Sequence, residues 1–290
     1  MALLGTRDPR LNQHGRIDLR LSRQLRSYSR VDPPSTRVKP IPIGLLQIAI
    51  SNTEAFANPT PLIAACTDMT IIAFYFLMRP GEYAVTNAES HPFRLADVEM
   101  YQGAMRLDLT ATPLPDLHHA TFAILVFTTQ KNSVRGEKIG HACSGHPFFC
   151  PVRAIARRVQ HLRQHGAPTD SPLHRHYSAQ GRATPLSTRA VAAFLKRFVA
   201  THGRDYGLRP NDIEARSLRA SGAMALLCAR VDPDVIRLVG RWRSDAMLRY
   251  LHVQAAPVMS PLAGQMFQGG DFTFNPLDPD PQGAPQPGAP

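Results

Sequence analysis

Between Thr60 and Met78 the chain reads Thr-Pro-Leu-Ile-Ala-Ala-Cys-Thr-Asp-Met-Thr-Ile-Ile-Ala-Phe-Tyr-Phe-Leu-Met. Such a segment has the length of a helix and is apolar around most of its circumference, so it has to be largely buried. It is not a membrane span, because Cys66-Thr67-Asp68 and Thr70 interrupt a run that would need about 20 apolar residues. Pro80 and Gly81 terminate the pattern and leave the charged pair Arg79 and Glu82 at its end. On the residues alone, Arg79 is a cation at a helix C-terminus, facing the negative end of the dipole.

The rest of the chain supplies elements to pack around that helix. Ile43 to Ala55 reads as a second helix. Leu95 to Met100, Met105 to Thr110 and Phe122 to Thr129 alternate or run apolar at strand length, with Gln102-Gly103 as a turn between the first two. Val152 to Gln164 predicts a helix made basic along one side by Arg157, Arg158, His161 and Arg163. Pro185 to Thr201 predicts another, capped by Ser187, with Val191, Phe194, Leu195 and Phe198 at core spacing. These elements predict a mixed fold class, mainly α with a small antiparallel β-sheet.

The chemistry concentrates between Glu214 and Val253. Arg216 and Arg219 are three apart, a spacing that puts two guanidinium groups on one face of a helix, with Leu218, Met224, Leu227 and Cys228 near the opposite stripe. The next helix has clear start chemistry in Asp232, Pro233 and Asp234, and Gly240 can end it. After Arg241-Trp242-Arg243, Ser244 can cap a short helix that carries Tyr250. A tyrosine hydroxyl is a weak nucleophile at neutral pH, but clustered guanidinium groups favour the phenolate and bind a phosphodiester. Together these residue types describe covalent attack on a phosphate. The plainer reading is a core tyrosine flanked by Leu248 and Leu251, with solvated arginines.

Order and spacing add a family likeness. Arg-Ser-Leu-Arg at 216–219, Gly240-Arg241 and Tyr250 fall in the register of the catalytic end of the tyrosine recombinase family, whose pattern is His-x-x-Arg, then Gly-His or Gly-Trp, then Tyr. Leu-Met-Arg-Pro-Gly-Glu-Tyr at 77–83 resembles the family's first arginine box. The Gly-Arg-Trp-Arg-Ser-Asp wording is most similar to recombinases of DIRS-like and crypton-like eukaryotic mobile elements. The resemblance implies the tyrosine recombinase catalytic-domain architecture. It also implies DNA cleavage and rejoining through a 3′-phosphotyrosyl intermediate on Tyr250, with Arg79 and Arg219 holding the phosphate. Lys131 is then the leaving-group acid, ahead of Lys138 and Arg135. Glu82 and Trp242 are supporting residues. Arg216 and Arg241 stand where the family has His, or His or Trp, unless Trp242 serves one position out of register. Guanidinium cannot accept a proton, so either water or another group takes the tyrosine proton, or activity is reduced. The alternative is a weakened or inactive DNA-binding descendant. No cofactor, metal or ATP is implied, and tetramers on double-stranded DNA are.

Charge agrees with a polyanionic partner. The formal net charge is +11, and residues 1 to 42 hold eight Arg and one Lys against three Asp. Arg16 to Tyr28 reads as a helix, with Arg20, Arg23 and Arg26 either solvated or on DNA, and Arg243 joins the DNA-contact candidates. The expected domains are 1–30, a remnant of the helical core-binding domain, which makes the chain read as a truncated product; 31–42, a Pro-rich linker; 43–268, catalytic; and 269–290, a disordered Gly/Pro-rich tail. The chain begins without the apolar core of a secretion signal, and its four cysteines are sparse, so reduced thiols and a nuclear location are expected, with no membrane partner. His141, Cys143, His146 and Cys150 are possible zinc ligands, but no Cys-x-x-Cys pair is present, and structural Cys with loop His is preferred.

Overall fold

The computed structural model describes residues 21–22, 38–51, 59–87, 90–128 and 136–242. The chain divides into two units, Met1–Arg37 and Val38–Pro290. The first helix of the second unit, α1, spans Ile43–Ser51. The apolar segment forms α2, Pro61–Tyr75, started by the Thr60 side chain accepting from the Ile63 amide at 3.3 Å. Every residue from Ala65 to Phe74 is buried. Burying Thr67, Asp68 and Thr70 along with the apolar residues makes this the helix that other elements enclose.

The helix ends earlier than its sequence predicts. The Phe76 amide closes the last turn on Ile72 O at 3.0 Å, and Leu77 takes a left-handed φ of +48° that turns the chain away. Pro80 and Gly81 therefore do not terminate α2; they open a separate short helix, α3 (Pro80–Tyr83), with Arg79 as its N-cap residue.

The sheet has four antiparallel strands in the order β2-β1-β3-β4: β1 Val98–Gln102, β2 Met105–Leu107, β3 Phe122–Phe127 and β4 Glu137–Ala142. Gly103, at φ +59°, makes the tight turn that pairs Gln102 with Met105. Leu95–Asp97 is a 3-10 turn rather than strand, and α4 (Leu114–Leu117) follows β2. On β3, Ala123, Leu125 and Phe127 face the core by strand alternation.

Three helices pack on α2. On α5 (Pro151–Gln164), Arg158 is buried and donates to the carbonyls of Leu173 and Arg175, while Arg157 pairs with buried Asp68 at 2.6 Å. The predicted basic side of this helix is thus spent internally. Burial pushes the Asp68 carboxyl up, against the pull of Arg157 beside it. The small hairpin β5 (His176–Tyr177) and β6 (Ala183–Thr184) leads to α6 (Thr188–His202), whose Ser187 cap accepts from Ala190 N at 3.1 Å.

Helix α7 (Ser217–Cys228) runs against α2 so closely that a Cβ at Gly222 would meet the Phe74 carbonyl. Its burial follows position along the axis rather than one face: Ser217 to Met224 are all buried, Ala225 to Cys228 half-buried. Asp232 caps α8 (Pro233–Val239) through the Asp234 amide at 2.7 Å, as its sequence predicts. Ile236, Trp242, Leu77 and Ala223 form a second, smaller core. No described helix is long and apolar enough to cross a membrane.

Candidate active site

The left-handed turn at Leu77 presents its carbonyl to two arginines from the far end of the chain. Arg219 Nη1 donates to Leu77 O at 2.8 Å, and its Nη2 donates to Gly240 O. The same guanidinium lies 4.3 Å from the Trp242 ring centroid. Gly240 has no side chain to intrude there; a Cβ would fall inside the Trp242 ring. Arg219 is 3 % exposed.

Arg241 occupies the other side of that carbonyl. It is the left-handed residue after α8, at φ +56°, a conformation expected of glycine; Gly240 itself is right-handed. Its Nη1 donates to Phe76 O at 3.1 Å and Val239 O at 3.2 Å, and its Nη2 to Leu77 O at 3.4 Å and to Glu82 Oε2 at 2.9 Å. The guanidinium sits 3.6 Å over the Phe127 ring. Burial holds Arg241 down to about 10; Glu82 opposes that shift and Arg79 adds to it, and the group is still a cation at neutral pH.

Glu82 joins the second arginine box to the first. Arg79 Nη1 donates to Glu82 Oε1 at 2.9 Å, and the Arg79 amide donates to Oε2 at 2.7 Å. The Arg79 side chain is 26 % exposed and is the most accessible of the three guanidinium groups. Arg79 and Arg241 share the Glu82 carboxylate, and Arg219 adds a third cation at the Leu77 carbonyl, a positive balance suited to an anion.

Arg216 is not part of this cluster. It precedes α7 as its N-cap residue and is exposed while Arg219 is buried, so the expected two-cation helix face is not formed. Arg216 lines an open cleft of about 790 Å³ together with Pro80, Arg189, Lys196 and Glu214. Lys196 pairs with Glu214 at 2.7 Å across it. Arg189 and Lys196 were not foreseen as site residues; their signal was seven-residue spacing, two turns along one face of α6. Phe127 was missed as well, although it ends β3 just before the segment that holds Lys131.

Tyr250, Lys131, Arg20, Arg23, Arg26 and Arg243 lie outside the described residues. Of the four zinc candidates, His146 turns Nδ1 inward to accept from the Phe148 and Phe149 amides at 3.1 and 2.8 Å. Among the described residues no group of three or more His, Cys, Asp or Glu is placed to hold a metal.

No protein-family model matches the sequence, and no curated protein matches it. Solved structures do match. The XerH site-specific recombinase bound to difH substrate, a pre-cleavage complex, superposes over 88% of this chain and 58% of that one at 11% identity, with a TM-score of 0.50. XerA recombinase matches at 14% identity over 83% and 67% of the two chains, TM-score 0.44. The Tn1549 transposon integrase in complex with circular intermediate DNA matches at 11% identity over 81% and 68%, TM-score 0.42. The likeness to XerH shows the fold: mainly helical with a small antiparallel sheet, in the arrangement of a tyrosine recombinase catalytic domain. This chain spans little more than half the length of the XerH chain.

Proposed function

We propose that the chain binds double-stranded DNA and cleaves and rejoins its strands by phosphoryl transfer through a 3′-phosphotyrosyl ester on Tyr250. The observation that carries this reading is the convergence of Arg79, Glu82, Arg219 and Arg241, from two boxes far apart in sequence, on one turn at Leu77. Arg79 and Arg219 hold the non-bridging oxygens and stabilise charge in the transition state. Lys131 protonates the departing 5′ oxygen. The cleft of Arg189, Lys196 and Arg216 supports backbone contacts to the same duplex.

A second reading, a DNA-binding relative that does not cleave, is favoured by one observation. Arg219 and Arg241 turn their guanidinium groups onto main-chain carbonyls and are almost wholly buried. Productive contact with phosphate then requires DNA to draw at least Arg219 outward. An assay that reads binding and cleavage separately on a pool of nicked duplexes distinguishes the two. Under the first reading, Arg219→Lys binds within a few-fold of the parent but cleaves roughly 100-fold or more slowly, because one preorganised donor is lost. Equal cleavage by parent and variant, or none by either, contradicts it.

A further inference from the structure

The loop between β4 and α5 brings two cysteines together that the DNA chemistry does not use. Cys143 follows the last residue of β4, held there by its amide on Thr121 O at 3.1 Å. Cys150 is the N-cap residue of α5. Between them the chain folds back on itself. Ser144 Oγ donates to Phe149 O at 2.8 Å, and the amides of Phe148 and Phe149 both close on His146 Nδ1. Residues 144 and 149 are therefore in contact, and Cys143 and Cys150 flank that contact on either side. The Cys143 thiol is close enough to Cys150 for each to shift the other's titration. It also lies 3.6 Å from Ala120 O.

The two thiols are unlike. Cys143 is exposed and Cys150 is buried. Burial alone would raise the Cys150 thiol, but the amides of Arg153, Ser144 and Val152 and the Cys143 thiol outweigh it, and the net direction is down. Cys143 is held up, by burial and by its neighbour's charge. Cys66, in contrast, is buried in the core and pushed up to about 12, a thiol that does not react.

We infer that Cys143 and Cys150 are a thiol–disulfide modification site, a dithiol that closes to an intrachain disulfide with a small-molecule disulfide as oxidant. The oxidant meets Cys143, the accessible sulfur. Cys143 sulfur displaces one half of the oxidant as a thiol, losing its proton and forming a mixed disulfide. The Cys150 thiolate then attacks the Cys143 sulfur, and the second half leaves as a thiolate. Two protein thiols are oxidised and one oxidant disulfide is reduced to two thiols. The product ties the end of β4 to the start of α5, through a loop already fastened to α2 by the Tyr75 hydroxyl donating to Phe149 O at 3.1 Å.

The test equilibrates the full chain with reduced and oxidised glutathione over a series of ratios, quenches with acid, alkylates free thiols and digests with trypsin. One peptide, Ile139 to Arg153, carries both cysteines. The expected course takes it from doubly alkylated to unalkylated and two hydrogen atoms lighter, with a single midpoint and full return on adding dithiothreitol. In Cys150→Ser the same treatment should stop at a glutathione adduct on Cys143, the intermediate that has lost its resolving thiolate. The inference is overturned if the parent peptide stays doubly alkylated at every ratio, or if it accumulates the glutathione adduct on Cys143 while Cys150 remains free to alkylate. Both readings come from the parent protein, so neither depends on the variant folding.

Discussion

Arg241 Nη2 donates to Glu82 Oε2 at 2.9 Å, between side chains that are 1 % and 9 % exposed. The pair joins the two halves of the site, and its energetics are those of a buried charge. Removing the carboxylate takes from Arg241 the acid it bonds directly and leaves it beside Arg79, with Glu137 as the remaining carboxylate acting on it. Glu82→Ala should therefore cost about 3–5 kcal/mol, well above the fraction of a kcal/mol of an exposed pair. Urea unfolding of parent and variant measures it. A loss below about 1 kcal/mol would mean that the pair does not hold the site together.

Acid sensitivity should arise in a different place. His174 is 1 % exposed, its Nδ1 accepts from the Leu186 amide at 3.0 Å, and Arg158, Arg175 and His176 lie around it. Burial first, and then the charge of Arg158, lowers it from 6.5 to about 4. The neutral ring is the form that fits the fold, so its stability is complete above pH 6.5 and is lost as the pH falls towards 4. The unfolded chain binds the proton first in that window, at up to about 1.4 kcal/mol per pH unit and about 3 kcal/mol in all. His174→Gln, which can still accept from Leu186, should reduce the slope of the stability profile between those limits and leave the part carried by His161, which burial also holds down to about 4. An unchanged acid slope would place the sensitivity elsewhere.

On the proposed function, Arg216 contributes to DNA affinity rather than to the fold, because its side chain is exposed in the cleft. Arg216→Ala should weaken binding to all duplex sequences alike and reduce the slope of log affinity against log salt by about 0.9, the signature of one lost phosphate contact. Mobility-shift titrations between roughly 50 and 200 mM salt read both quantities. A parallel salt dependence in parent and variant would remove Arg216 from the interface.

Much of the scaffold was legible because local chemistry set it. Ser187 and Asp232 cap the helices they were expected to cap, and Gly103 makes the expected turn. The strand β4 was not foreseen, because Glu-Lys-Ile-Gly-His-Ala has no apolar alternation and is a strand only through pairing with β3. The site was half legible. Residue order placed Arg79, Glu82, Arg219 and Arg241 in one proposed constellation, and they do meet. Helical periodicity misplaced Arg219, because Arg216 stands at the helix start while the first turns of α7 are enclosed on all sides. Nor could pattern reveal that Leu77 and Arg241, neither of them glycine, adopt the left-handed turns that bring the boxes together. Those conformations are fixed by tertiary contacts at residues remote in sequence.

Covalent capture of DNA by Tyr250 tests the proposed chemistry most directly. The full chain is incubated with a pool of nicked duplexes of randomised sequence, denatured, and the protein–DNA adducts are recovered and mapped by peptide mass. The expected result is a 3′-phosphodeoxynucleotide on Tyr250 that is absent in Tyr250→Phe, while both proteins retain the same affinity for the intact duplex pool. DNA bound with normal affinity but never captured by the parent chain, or an adduct that persists in Tyr250→Phe, would contradict it.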